Sequence, residues 1–223
     1  MDTTTAYGET RRRITALLRE APPEAAERMV PACPAWTVQQ LASHVVGVSA
    51  DILAGNVGGA GTDPWTEAQV VARRGRSLAE LADEWDDTCP QVEAALAGGL
   101  LPAQAVFDQV THEHDLRGAL DRTGEVDDRS VAIGLDFVHE RWPVVTVAAG
   151  LPPLHITAGD TELVAGDDPE VHLRLTGFEA LRALTGRRSL DQVRRYDWGV
   201  DPEPWLPAFT WGPLRPSPVD LDW

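Results

Sequence analysis

The chain has 223 residues, 43% of them hydrophobic, enough to bury a core without a structural ion or a disulfide staple. Its 35 acidic residues against 19 basic ones give a formal charge of −16, a surface that repels nucleic acid and anionic lipid, since both are bound through phosphates. No stretch approaches the roughly 18–20 apolar residues of a membrane span, and the polar, acidic N-terminus lacks the basic start and apolar core of a secretory signal, so a soluble cytoplasmic protein is expected.

The length suits one large domain or a larger domain plus a small one. A first helix is predicted over 9–20, with Ile14, Leu17 and Leu18 inward and Ala21-Pro22-Pro23 as its end. Within it, Arg11-Arg12-Arg13 reads as a solvated helix face. Val30 to Trp36 is an extended loop held by Pro31 and Pro34. Cys33, beside Pro34, reads as a small packing residue, with a nucleophilic role as the alternative. It lies 56 residues from Cys89, forms no CxxC pair, and both thiols are expected to be reduced.

Thr37 caps the next helix, with Gln40 completing a capping box. Leu41, His44, Val45, Val48 and Ile52 follow at offsets 0, 3, 4, 7 and 11, the stripe of a helix facing a core. After a glycine-rich loop from Gly55 to Gly61, Thr66-Glu67-Ala68-Gln69 and Ser77-Leu78-Ala79-Glu80 read as two more capping boxes. The first starts a short helix bearing Arg73, Arg74 and Arg76. The second starts a helix through Trp85 towards Leu96, ended by Gly98-Gly99. Further helices are predicted over about 102–121 and 129–148, the latter stopped by Gly150 and Pro152-Pro153. Residues 1–150 are therefore expected to form a helical bundle.

The pattern changes after Pro153. Segments 154–157, 161–164 and 171–175 alternate as strands, and helices are predicted at about 177–185 and from Ser189 to Arg195. The tail from Asp197 to Trp223 holds six prolines and four of the eight tryptophans, so it is no regular element and is expected to wrap across the rest. Residues 151–223 read as a small α+β domain with a Pro/Trp-rich tail.

His44 lies on the apolar face of its helix, where a satisfied core histidine is the ordinary reading. Asp108 and His112 stand at i and i+4 and point the same way on a helix. With an imidazole from a facing helix they make three convergent N/O donors, as in bundle-core metal sites, and three protein ligands leave open positions for water or substrate. The alternatives are an i,i+4 hydrogen-bonded pair on a wet face, or an HxH strand pair of His112 and His114. The strand reading is the poorer, because 103–120 is rich in helix formers; on a helix His114 is about 200° from His112. Arg73, Arg74 and Arg76 can clamp an anionic substrate, or form a surface segment balanced by Glu80 and Glu84. Arg187-Arg188 sits at a helix end, where cations favour the macrodipole.

The string Val30-Pro-Ala-Cys-Pro-Ala-Trp-Thr-Val-Gln-Gln-Leu-Ala-Ser-His44 resembles the mycothiol-dependent maleylpyruvate isomerase family of actinobacteria. So, in order, do Trp65-Thr-Glu-Ala-Gln-Val-Val-Ala-Arg-Arg-Gly-Arg76, His112-Glu-His-Asp-Leu-Arg117, Leu184-Thr-Gly-Arg187, and the segment from Asp197 to Pro207. The resemblance implies an α+β protein, an N-terminal DinB-like four-helix bundle followed by a small α+β C-terminal domain. It places a divalent metal, Zn2+ by expectation, on His44, Asp108 and His112. The family has glutamate where Asp108 stands and tryptophan where His114 stands. The shorter carboxylate requires the metal to shift or Asp108 to bind through water, a departure that bears on isomerase activity more than on metal binding.

By the same resemblance the thiol cofactor is mycothiol, whose sulfur takes an open metal position as thiolate and attacks a small electrophile, giving S-transfer or isomerisation. Arg76 and Arg187 are the implied catalytic cations for anionic substrate groups, with Arg74 and Arg76 on the cofactor side. The partners implied are a thiol and a small, partly anionic electrophile, in a monomer or a homodimer. Two other functions stay open: a thiol-independent metal-dependent hydrolase, cyclase or lyase of secondary metabolism, and a non-catalytic protein with a vestigial site.

Overall fold

The first helix, α1 (Thr3–Glu20), starts earlier than its apolar pattern suggests, because the Asp2 carboxylate accepts from the Thr5 amide and caps it. A computed structural model describes residues 2–99, 104–124 and 126–223. The loop expected before His44 is an antiparallel ribbon, β1 (Met29–Val30) paired with β2 (Cys33–Thr37). Thr37 then caps α2 (Val38–Ala54) in the predicted capping box with Gln40, and Gly55, at φ 71°, ends it in the left-handed conformation. The short helix α3 (Asp63–Ala72) comes next, then α4 (Leu78–Ala97) behind the Ser77–Glu80 box. The fifth, α5, is described from Gln104 to Ala119; its expected start near 102 lies outside the described residues.

Helices α1, α2, α4 and α5 make the predicted four-helix bundle. Helix α4 runs antiparallel to α1: a Cβ on Gly8 would lie 2.9 Å from Glu93, while Arg19 binds Asp83. Ile14, Leu18, Leu41, Val45, Leu81, Trp85 and Leu116 form the shared core. The Trp85 indole donates to the Tyr7 hydroxyl, which pairs with Ser49, so these three buried polar groups satisfy one another. The basic run is not a solvated face. Arg11 is buried against Asp86 of α4, and Arg13 reaches Glu113 of α5 at 2.8 Å; Arg12 alone of the three is exposed. Cys33 and Cys89 are both thiols, Cys33 half-buried and Cys89 buried.

By packing, the chain divides into Met1–Glu125 with Trp223, and Val126–Asp222. The boundary therefore falls before α6 (Asp128–Ala148) rather than at 150. Val131, Leu135, Val138 and Trp142 form its buried stripe, and it packs against β4 (Thr161–Ala165) and α7 (Gly177–Leu184). Helical periodicity shows that a helix has an inward face, not which core that face meets.

The second unit carries a three-stranded sheet in the order β4-β3-β5. Strand β3 (Leu154–Ala158) pairs antiparallel with β4 and parallel with β5 (Val171–Leu175). Gly159, at φ 64°, makes the turn between β3 and β4. Helix α8 (Leu190–Arg194) is capped by Ser189 with Gln192. The tail is irregular apart from a short 3-10 helix at Leu206–Phe209, and indole N–H groups fasten it within this unit: Trp198 to Val193 O, Trp205 to Pro153 O, Trp211 to Leu184 O. Burial pushes the Glu179 carboxyl upward, but hydrogen bonds from Arg188 and Tyr196 outweigh that and its pKa falls below the ordinary value. No described helix is long and apolar enough to cross a membrane.

Candidate metal centre

His44, on the inward face of α2, and Asp108 and His112, one turn apart on α5, come together in the first unit. The Asp108 Oδ1 atom lies 3.7 Å from His44 Nε2 and 3.6 Å from His112 Nε2. Both separations lie just beyond the hydrogen-bond range and within that of an ion pair. They suit donors around one ion: ligands about 2.0–2.1 Å from a tetrahedral centre stand roughly 3.3–3.4 Å apart. The two imidazoles face each other edge-on, centroids 5.3 Å apart at 89°. Both are buried, while the Asp108 side chain keeps 27% of its surface exposed, so one side of the cluster is open to solvent. Two nitrogens, one carboxylate oxygen and an accessible side are a donor set that can hold a divalent ion and still admit another ligand.

Each imidazole is held from behind. The His112 Nδ1 lies 3.0 Å from Asp115 Oδ2, and because a carboxylate only accepts, the ring donates from Nδ1 and turns Nε2 to the cluster. Cys33 Sγ donates to the same Asp115 oxygen at 3.5 Å, brought there by the β1–β2 ribbon. Cys33, His112 and Asp115 thus form a second convergent group. It draws on the Nδ1 atom whose proton keeps Nε2 available to the first. His44 Nδ1 meets Gln69 Oε1 at 2.7 Å, and Gln69 Nε2 donates to Asp51 Oδ2 at 2.6 Å. Trp36 and Trp65 flank the His44 ring at centroid distances of 5.1 and 6.3 Å.

Gln69, Asp51 and Asp115 are the residues around the cluster that sequence reasoning missed. Gln69 was expected to close a capping box with Thr66. Helix α3 instead begins at Asp63 with Pro64 in its first turn, so Thr66 lies inside it, donating to Asp63 O, and Gln69 turns inward. Pro64 was the available signal, since proline is favoured in a first helical turn. His114 points away from the cluster, buried, with its ring 5.9 Å from that of Trp223.

Helix α3 ends at Ala72, so Arg73, Arg74 and Arg76 lie on the turn to α4 instead of on a helix. Arg73 is buried and Arg76 exposed, and both bind Glu84, the acid expected to balance them; Arg74 is exposed. Arg187, in the second unit beyond α7, donates to the Thr185 carbonyl at 2.6 Å.

Fold and site together define a helical bundle with an inward His/Asp/His metal-binding cluster, followed by a small α+β unit. Residues 7–110 match the family model described as the mycothiol maleylpyruvate isomerase N-terminal domain. Two solved structures share the fold: the mycothiol-dependent maleylpyruvate isomerase, at a TM-score of 0.53, and a histidine-to-alanine mutant of it, at 0.52. Each is 12% identical and aligns over 83% of this chain and 88% of the other. No curated protein matches.

Proposed function

We propose that this chain is a metal-dependent enzyme that uses a thiol cofactor, mycothiol, for S-transfer to, or isomerisation of, a small electrophile, with His44, Asp108 and His112 as the metal ligands. The observation that carries the reading is the convergence of both Nε2 atoms on Asp108 Oδ1, with each Nδ1 committed to an outer partner. A divalent ion, Zn2+ by the donor set, supplies Lewis acidity that lowers the pKa of a thiol or water beside it by several units.

The residues present favour an anionic guest. Two neutral imidazoles and one carboxylate carry a single negative charge, which leaves one positive charge of a divalent ion to be met by a thiolate, a hydroxide or a substrate anion. His44 and His112 hold position because their rings are buried and anchored at Nδ1, and the partly exposed Asp108 side is where the guest enters. Arg76 is assigned to anionic groups of the substrate, and Arg74 with Arg76 to the cofactor. The support is that Arg74 and Arg76 are accessible cations on a chain of net charge −16.

Metal analysis of protein purified without chelator tests the first half: about one equivalent is expected, and none in His112→Ala. Absence of metal from the wild type refutes the site. Titrating mycothiol into cobalt-loaded protein tests the second half, because sulfur at the ion produces a charge-transfer band. A metal-loaded protein that shows no such band uses its ion without a thiol.

A further inference from the structure

Helix α2 carries His44, Gly47 and Asp51 at i, i+3 and i+7, a single stripe along one face. Gln69 of α3 lies across that stripe and joins its two ends, accepting at Oε1 from His44 and donating from Nε2 to Asp51. Gln69 is buried, with 3% of its surface exposed. Its seat is built by Gly47: a Cβ there would stand 2.5 Å from Gln69 Cβ and 2.6 Å from Cγ, closer than carbon atoms approach. Asp51 is anchored in turn, its Oδ1 accepting from Asn56 Nδ2 at 2.9 Å.

The chain of donors and acceptors has one consistent reading. The Asp51 carboxylate only accepts, so the amide NH2 of Gln69 faces it and Oε1 is left facing His44. An acceptor facing Nδ1 requires the proton on Nδ1, and the lone pair of the ring is then on Nε2, the atom 3.7 Å from Asp108. Resting on the metal reading of the cluster, we propose that Gln69 and Asp51 are positioning residues that set the tautomer of His44, with Asp51 acting solely through the orientation of the Gln69 amide. His112 is set differently, by the carboxylate of Asp115, so the two imidazoles reach the same state through a neutral partner and a charged one.

A polarity swap tests this. Gln69→Met removes the acceptor at constant bulk and is expected to weaken Co2+ or Zn2+ binding about 10–100-fold, the usual cost of losing an outer partner. The double variant Asp51→Asn with Gln69→Glu restores the pattern with donor and acceptor exchanged: the new asparagine amide donates to the new glutamate, and that carboxylate accepts from His44. It is expected to bind within about threefold of wild type, or more tightly. Nitrogen-15 shifts of the metal-free proteins read the tautomer directly: Nδ1–H at His44 in wild type and in the double variant, a mixture in Gln69→Met. Asp51→Ala, made at the half-exposed end, frees the amide to rotate and gives the same mixture if Gln69→Met does not fold. A metal-loading wild type with Nε2–H at His44, or a Gln69→Met protein that binds metal as wild type does, overturns the positioning role and leaves the metal reading standing. A wild type that takes up no metal overturns both.

Discussion

Replacing Gly47 by alanine places a methyl carbon 2.5 Å from Gln69 Cβ and 2.9 Å from Arg73 Nη1. Carbon contacts begin near 3.5 Å, so α3 must retreat by about 1 Å at Gln69. That retreat stretches the 2.7 Å contact from His44 Nδ1 to Gln69 Oε1 to roughly 3.7 Å, outside hydrogen-bond range. Two effects on stability oppose each other: alanine in a helix interior gains about 1 kcal/mol over glycine, and overpacking costs about 1–3 kcal/mol. The net loss is therefore roughly 0–2 kcal/mol, a fall in melting temperature of a few degrees for a chain of this size. Metal affinity is expected to fall about tenfold, because the outer partner of His44 is displaced. Competition against a chromophoric chelator measures the affinity, and thermal melting of the metal-free protein measures the stability. Wild-type affinity in Gly47→Ala would show that α3 has slack against α2, and the reasoning from the Gln69 seat would be refuted.

Asp108→Ala removes the single ligand charge and should weaken metal binding roughly 100-fold or more, beyond the loss from an outer partner, while melting within a few degrees of wild type; equal affinity by the same chelator competition excludes Asp108 as a ligand. Trp85→Ala, at a fully buried position in the bundle core, should cost about 3–5 kcal/mol in urea unfolding, and a loss under about 1 kcal/mol contradicts the packing described. Burial and its hydrogen bond to Glu179 hold the Tyr196 proton above the ordinary tyrosine value. A group whose folded pKa is raised contributes stability that is complete below about pH 10 and drains away as pH climbs towards the folded value. Tyr196→Phe should therefore lose less stability than wild type between pH 9 and about 11, and parallel urea midpoints across that range would contradict the assignment.

Much of this could be read from the residues because the signals were local. The Thr37–Gln40 and Ser77–Glu80 boxes stand where the side chains alone put them, since capping is decided within four residues. The pairing of Asp108 with His112 follows from the helical period, and the inward direction of His44 from its stripe. What escaped was set by partners distant in sequence. Gln69 reads as a cap until Pro64 is seen to start the helix early. Its contacts, Asp51 and His44, lie 18 and 25 residues away on another element. Arg11 looked solvent-facing in a basic run, yet an acidic partner on α4 takes it inside. The allegiance of α6 could not be read because an apolar stripe fits either of two cores.

The two indoles beside His44 turn the cluster into its own optical instrument. Trp36 and Trp65 are both half-buried, and Trp65 is fixed by its indole donating to the Asn56 carbonyl. A cobalt ion seated among His44, Asp108 and His112 would lie within contact range of their excited states and drain them, whereas zinc would leave the emission bright. The remaining six of the eight tryptophans add to the total emission. Occupancy can thus be followed by light from the unlabelled chain, and Trp36→Phe should take much of that signal away without altering the ligands.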